Sequence, residues 1–310
     1  MAKNRIPLSY EILCGFSEHQ VELNVSSFFG YVARGLGLPQ RQIKLNDVDE
    51  QMTGADGSLN WMGRAYFFQF KIPTGLKELT QVSRQAKQRA NESKKQEVRR
   101  FRFDNGLTQS PHSLCFQLRR KAEGATDFQH NVLYSYNNPR GASAIYVCPL
   151  ELTVSGYERE MDGGGIEDVF YRWRVQDVRC LDVVVRALEA VPFLRAHASI
   201  SPHVRVDTSD HYYSFSRQAT GIAFHSPEIL ADGPSRLSDF VAAEVKSFFQ
   251  TDSERYSIKD IAKQLADVAR TWAGDTLGEP TDPVDWLYRH GQLLRKHYGI
   301  RQMILLLNRS

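Results

Sequence analysis

At 310 residues, with apolar side chains at 42% and charged ones at 24%, the chain has a globular make-up and is long enough for one large or two modest domains. Its formal net charge of +3 does not mark a nucleic-acid binder by itself, and its four dispersed cysteines form no Cys-x-x-Cys pair, which argues against a zinc ribbon or a dithiol redox site. No apolar run approaches bilayer-spanning length and Met1-Ala2-Lys3-Asn4-Arg5-Ile6 lacks a secretory apolar stretch, so no membrane contact and a cytoplasmic location are expected.

In chain order, Glu22 to Leu36 has amphipathic helical spacing and ends in Gly35-Leu36-Gly37-Leu38-Pro39, a stop signal. Ala65-Tyr66-Phe67-Phe68-Gln69-Phe70-Lys71-Ile72-Pro73 reads as a strand, in which Gln69 and Lys71 share one face while Phe68 and Phe70 enter the opposite, apolar layer. Met62-Gly63-Arg64 reads as the turn that folds a preceding strand carrying Asp56 back beside Gln69. Pro111 to Leu118 and Ala142 to Leu150 read as strands, with a helix over Asp127 to Tyr136 between them. Asp162-Gly163-Gly164-Gly165 reads as a loop, Val169 to Val175 and His211 to Phe215 as short strands, and Cys180 to Leu194 as a buried helix. Three helices follow, over Leu237 to Phe249, Ile258 to Ala273 and Val284 to Tyr298, and Met303 to Leu307 is a last apolar strand. The expected class is α/β (α+β), a mixed sheet flanked by helices, with a core over 1–155 and a mixed, then helical region over 156–310. If the last strand returns to the sheet, that boundary divides a single domain.

The residues that carry chemistry lie on the early hairpin. An aspartate and a second oxygen-bearing side chain suit a hard divalent cation, and a nearby ammonium stabilises charge developing on phosphate oxygens. Asp56, the Gln69 amide oxygen and Lys71 match those roles. Gln-x-Lys alone is a weak motif, since Gln85-Ala86-Lys87 repeats it in a helical context; an ordinary amphipathic edge hairpin is the plain alternative.

With Glu50, Gly54, Asp56 and Gln69-Phe70-Lys71 in place, this segment resembles the PD-(D/E)XK nuclease superfamily in its Gln-x-Lys variant. The motif-bearing likeness covers Glu50 to Pro73 and continues loosely to about Pro149. The resemblance implies a restriction-endonuclease-like core, Mg2+ or Mn2+ as cofactor, Asp56 and Gln69 as metal ligands and Lys71 as the catalytic cation. It also implies a metal-dependent endonuclease of bacterial restriction or anti-phage defence, acting on DNA before RNA. Glutamine at 69 leaves one certain carboxylate; Glu50, or a helical glutamate at Glu18 or Glu22, would supply another.

Between Arg84 and Arg102 eight basic residues stand against Glu92 and Glu97. Arg84, Lys87, Arg89, Lys94, Lys95, Arg99 and Arg100 are therefore candidate phosphate contacts, with a solvated charged helix as the alternative. Gln129 and His130, on a helix with Tyr134 one turn on, are further candidates through the same resemblance, helix packing being the plain reading. His203, Asp210, His211 and His225 match no metal-ligand spacing and read as loop residues. No Gly-x-Ser-x-Gly turn or phosphate-binding Gly-x-x-x-x-Gly-Lys loop occurs, which argues against a serine hydrolase or a P-loop nucleotidase. Two rivals stand beside the nuclease: a catalytically inactive protein of the same fold that binds nucleic acid or a partner protein in a defence complex, and a sensor built from the helical region. Cutting both strands would call for a homodimer.

Overall fold

A computed structural model describes residues 8–35, 43–47, 61–80, 93–137, 139, 141–162, 181–225, 228–230, 236–250 and 255–308. Its class is the expected α/β (α+β). One sheet is mixed. Its strands are β2 (Ile43–Asp47), β3 (Trp61–Phe70), β6 (Ala142–Pro149), β7 (His197–Ile200) and β12 (Arg301–Asn308), in the order β2-β12-β3-β6-β7. β3 and β6 run parallel, the other pairs antiparallel, and the short β11 (Tyr256–Ser257) pairs with the start of β3. The second sheet is antiparallel, ordered β1-β4-β5-β8-β9-β10, from β1 (Glu11–Ile12), β4 (Thr74–Lys77), β5 (His112–Gln117), β8 (Tyr212–Ser216), β9 (Ala223–Phe224) and β10 (Glu228–Ile229).

β3 is apolar along most of its length because both of its faces are covered, as expected for a strand inside a layered sheet. Ala65 and Phe67 join a core that includes Leu114, Phe116, Tyr146 and Trp272, while Tyr66, Phe68 and Phe70 join the core of Val21, Phe29, Leu188 and Phe240. The alternation read from the sequence thus separates Gln69 from its phenylalanine neighbours.

The expected turn at Met62-Gly63-Arg64 is a correction. These residues lie inside β3, where Gly63 opposes Leu306 on one side and Tyr256 on the other. β12 occupies one edge of β3 from Trp61 to Phe68, and β11 and β6 occupy the other, so the neighbouring places are taken by strands distant in sequence. The last apolar strand does return to the sheet. A line drawn near residue 155 therefore runs through both sheets, since β7 and β12 lie in the first and β8 pairs with β5 in the second.

The helices follow the expected spacing with local shifts. α1 (Glu18–Gly35) starts one turn before Glu22, where the Ser17 hydroxyl accepts from the Gln20 backbone at 3.2 Å. α2 (Lys94–Asp104) is capped by Ser93, and α3 (Gln129–Ser135) lies between β5 and β6. α4 (Val154–Asp162) ends at the glycine run, of which 163–165 lie outside the described residues, as do 169–175. The helix expected over Cys180 to Leu194 is two, α5 (Leu181–Ala190) and α6 (Pro192–Arg195), because Pro192 cannot continue a helix but can begin one. α7 (Leu237–Gln250) covers the α1 side of the mixed sheet. α8 (Ile258–Ala273) is capped by Ser257 and buries Ile261, Ala262, Leu265, Ala266, Ala269 and Trp272 in one stripe. α9 (Pro283–Leu293) passes into a π-helical turn, Leu294–Tyr298, which Gly299 ends at φ 63°. Cys14, Cys115 and Cys148 are free thiols.

Candidate active site

The chain leaves the mixed sheet at the end of β3 and enters the antiparallel sheet at Thr74, so Lys71 stands at their junction. Its backbone N–H donates to Val147 O at 2.9 Å, extending the β3–β6 ladder by one residue. Gln69 is 1% exposed and Lys71 7% exposed, so neither is a surface side chain. Helices from before and after β3 bring polar partners to both.

The Gln69 amide nitrogen donates to Glu18 Oε1 at 3.1 Å and to Phe70 O at 2.9 Å. Two acceptors around one end fix the orientation of the amide. Its oxygen therefore points the other way, and it is buried with no hydrogen-bond partner. Such an orphan costs about 1–3 kcal/mol, so a donor or cation at this point would relieve a real penalty.

Lys71 Nζ donates to Gln129 Oε1 at 2.8 Å, and Gln129 Nε2 donates to Tyr298 O. This amide is fixed too, because an ammonium only donates and a carbonyl only accepts. The ammonium also lies 5.9 Å from the centre of the Tyr146 ring. Burial pulls Lys71 down to about 8; Glu18 pushes back up, and Arg119 adds to the lowering. Burial raises the Glu18 carboxyl, against the pull of Lys71 and Arg119, and Glu22 adds a smaller rise. Glu18, Gln69, Lys71 and Gln129 are one electrostatic unit.

Of the two helical glutamates, only Glu18 reaches Gln69. Glu22 is taken by Arg301, whose Nε donates to Glu22 Oε1 at 2.8 Å and whose Nη2 binds the same oxygen. Glu50 and Asp56 lie outside the described residues, as do Arg84, Lys87 and Arg89. The described donors toward a hard cation are thus one carboxylate, Glu18, and one amide oxygen, Gln69. Both are oxygens, as magnesium and manganese prefer, and the unpaired Gln69 Oε1 fits that use; further oxygens would come from Asp56, Glu50 or water. Among the described residues no group of three or more histidine, cysteine, aspartate or glutamate side chains is placed to hold a metal.

The described part of the basic run is largely engaged within the fold. Lys95 pairs with the buried Glu11 at 3.2 Å and donates to Thr74 Oγ1 at 3.3 Å. Arg99 donates to Lys77 O at 2.7 Å and Glu78 O at 3.0 Å, and its guanidinium lies over Tyr10. Lys94 pairs with Glu97 at 2.9 Å on the surface, and Arg100 is half-buried. His130 sits beside the site without facing it: its ring nitrogens meet Tyr146 Oη at 2.8 Å and Val204 O at 2.7 Å. His211 stacks on Phe224, and His203 meets the same ring edge-on. Both lie in loops, as the sequence suggested, but are half-buried as parts of an aromatic cluster.

Two site residues escaped the sequence reading. Arg119 opens the exposed triplet Arg119-Arg120-Lys121 just after β5, and Gly299 closes the π-helical turn. A Cβ built on Gly299 would lie 3.1 Å from Arg119 Nη1, 3.7 Å from Gln129 Nε2 and 3.9 Å from Gln69 Oε1. The available signals were a basic triplet ending an apolar strand and a glycine ending a helix; neither says that the two meet. No family model matches the chain, and no curated protein or solved structure is significantly similar to it. Among the described residues no helix is long and apolar enough to cross a membrane.

Proposed function

We propose that the chain is a metal-dependent endonuclease that hydrolyses phosphodiester bonds, with DNA as the first substrate to test. The observation that carries the reading is the buried Lys71 ammonium, held 2.8 Å from Gln129 and placed beside the Glu18–Gln69 pair with its unsatisfied amide oxygen. Glu18 and Gln69 would hold magnesium or manganese, together with Asp56 and Glu50 as the sequence motif suggests. When bound, such an ion supplies Lewis-acid polarisation of the phosphate and a more acidic water. Lys71 meets the negative charge that gathers on the phosphate oxygens as the water oxygen bonds to phosphorus and the bond to the leaving oxygen breaks. Gln129 fixes where that ammonium sits, and burial strengthens its field by excluding solvent. A cytoplasmic setting belongs to the same reading, and the restriction or anti-phage role rests on the motif resemblance alone.

The test is cleavage of plasmid DNA by wild type and by Lys71→Ala, each with magnesium, manganese or chelator. Metal-dependent cutting by wild type and its loss in the variant is the expected result; equal cutting by both proteins would sink the assignment. A second reading has its own support, since glutamine stands at 69 where an acidic residue would bind metal more strongly. On that reading the chain binds nucleic acid or a partner protein without cutting, and chelator leaves its binding unchanged.

A further inference from the structure

We infer that Arg119 and the notch at Gly299 form a phosphate-binding subsite at the mouth of the Glu18–Gln69–Lys71 cluster, taking a backbone phosphate of a nucleic acid. The inference rests on the nuclease reading for the identity of the phosphate and goes beyond it by naming the residue that grips the substrate.

Arg119 is exposed, and among the described residues no hydrogen-bond or ion-pair partner holds its guanidinium. It is nonetheless near enough to the site to act on both Lys71 and Glu18 through their charges. An exposed guanidinium near a buried ammonium suits an anion that both cations can share, and a planar fork matches two phosphate oxygens. Gly299 lets the Arg119 guanidinium come close to the site. Its left-handed backbone accounts for a residue without strain there, but asparagine also tolerates that conformation while carrying a Cβ. A Cβ would fall 3.1 Å from Arg119 Nη1 and within 4 Å of the buried, unpaired Gln69 Oε1, filling the space where Arg119, Gln129 and Gln69 converge. Arg120 and Lys121 extend the exposed positive charge from Arg119. Lys95 and Arg99, in contrast, would have to give up contacts within the fold to meet a phosphate.

The experiment measures binding of a short fluorescein-labelled DNA duplex, the matching DNA single strand and the matching RNA duplex, in chelator, over a range of salt concentrations. Wild type is compared with Arg119→Ala, Arg119→Lys and, as a control on an exposed cation of α8, Lys263→Ala. Arg119→Ala should weaken the best-bound probe by about tenfold and reduce the salt slope by about one, as expected for the loss of one phosphate contact. Arg119→Lys should keep the slope and lose only part of the affinity; Lys263→Ala should match wild type. The inference is overturned if Arg119→Ala binds like wild type or no worse than Lys263→Ala, or if wild type binds none of the three probes. Because binding is read without metal, loss of affinity in Arg119→Ala would leave the subsite standing even where wild type does not cut, so failure of the subsite and failure of the nuclease reading are told apart.

Discussion

Lys71 and Gln129, 58 positions apart, meet in a 2.8 Å hydrogen bond that joins the end of a central strand to the first turn of a short helix. Gln129 is 3% exposed, and its other end is tied to the Tyr298 carbonyl, so the glutamine anchors the ammonium to the π-helical turn as well. Burying a cation this deeply is tolerable only where acceptors are placed for it. Glu18 supplies the opposite charge and Gln129 the hydrogen bond.

A double-mutant cycle tests that coupling in the metal-free protein. Lys71→Met removes the cation but leaves the Gln129 oxygen unsatisfied, and Gln129→Leu leaves the cation without its acceptor. Each should lower unfolding free energy by roughly 2–3 kcal/mol. The double variant should lose clearly less than the sum, with a coupling of at least about 1 kcal/mol in urea denaturation. Additive losses would mean that the two side chains do not depend on one another.

Gln69→Glu tests whether the orphan oxygen belongs to a cation site. The substitution replaces an amide donor with a second carboxylate next to Glu18 Oε1, where the wild-type contact is 3.1 Å. Like charges at that range disfavour ionisation of both groups, so the melting temperature in chelator should fall by several degrees. Manganese should restore it, with a larger upward shift than in wild type, because binding to the folded state alone stabilises that state. A variant that melts at the same temperature with and without manganese would count against a metal at this place.

The basic helix offers a contrast between structural and surface charge. Arg102 is fully buried: Nη1 donates to Ser214 Oγ at 3.1 Å and Gly221 O at 2.8 Å, and Nη2 to Thr108 O at 2.8 Å. Burial lowers its pKa to about 10. Arg102→Ala should cost about 3 kcal/mol or more by stripping donors from three acceptors and opening a void. Lys94→Ala breaks only an exposed pair with Glu97 and should stay within about 0.5 kcal/mol of wild type in the same denaturation assay. Equal losses would remove the distinction.

How far the sequence could be read follows from which contacts are local. The two faces of β3 were legible because period-two alternation needs only neighbouring residues, and the helix of Ile258–Ala273 because its buried stripe repeats every three or four positions. The partners of β3 were not. Gly63 reads as a turn until β12 arrives from the far end of the chain and lies against it. Glu18 and Glu22 share a helical face and are equivalent locally; it is Arg301 on β12 that takes Glu22 and leaves Glu18 beside Gln69. The charge run of α2 likewise looks solvated until Glu11 and the carbonyls of Lys77 and Glu78 are packed against it. Arg119 could not be tied to Lys71 from sequence, because their proximity is made by two strands from different sheets.

Three buried histidines and the half-buried His225 weaken the fold toward acid. His130, His197, His225 and His290 are all pushed down to about 4, in each case chiefly by burial. The unfolded chain takes up their protons near the ordinary value of 6.5, while the folded chain resists until about pH 4. Protons are therefore bound preferentially by the unfolded state across that window, and unfolding free energy falls as pH drops from about 6.5 to 4. For His197 and His290, each with no exposed surface, the loss approaches roughly 3 kcal/mol apiece. His197 is the cleaner one to remove, because among the described residues its nitrogens meet only Phe193 O at 2.8 Å and Tyr157 Oη at 3.1 Å. His197→Phe should lower stability near neutral pH through those lost bonds, yet flatten the decline of the urea midpoint toward pH 4. A variant whose midpoint falls as steeply as wild type would show that His197 takes its proton without opposing the fold.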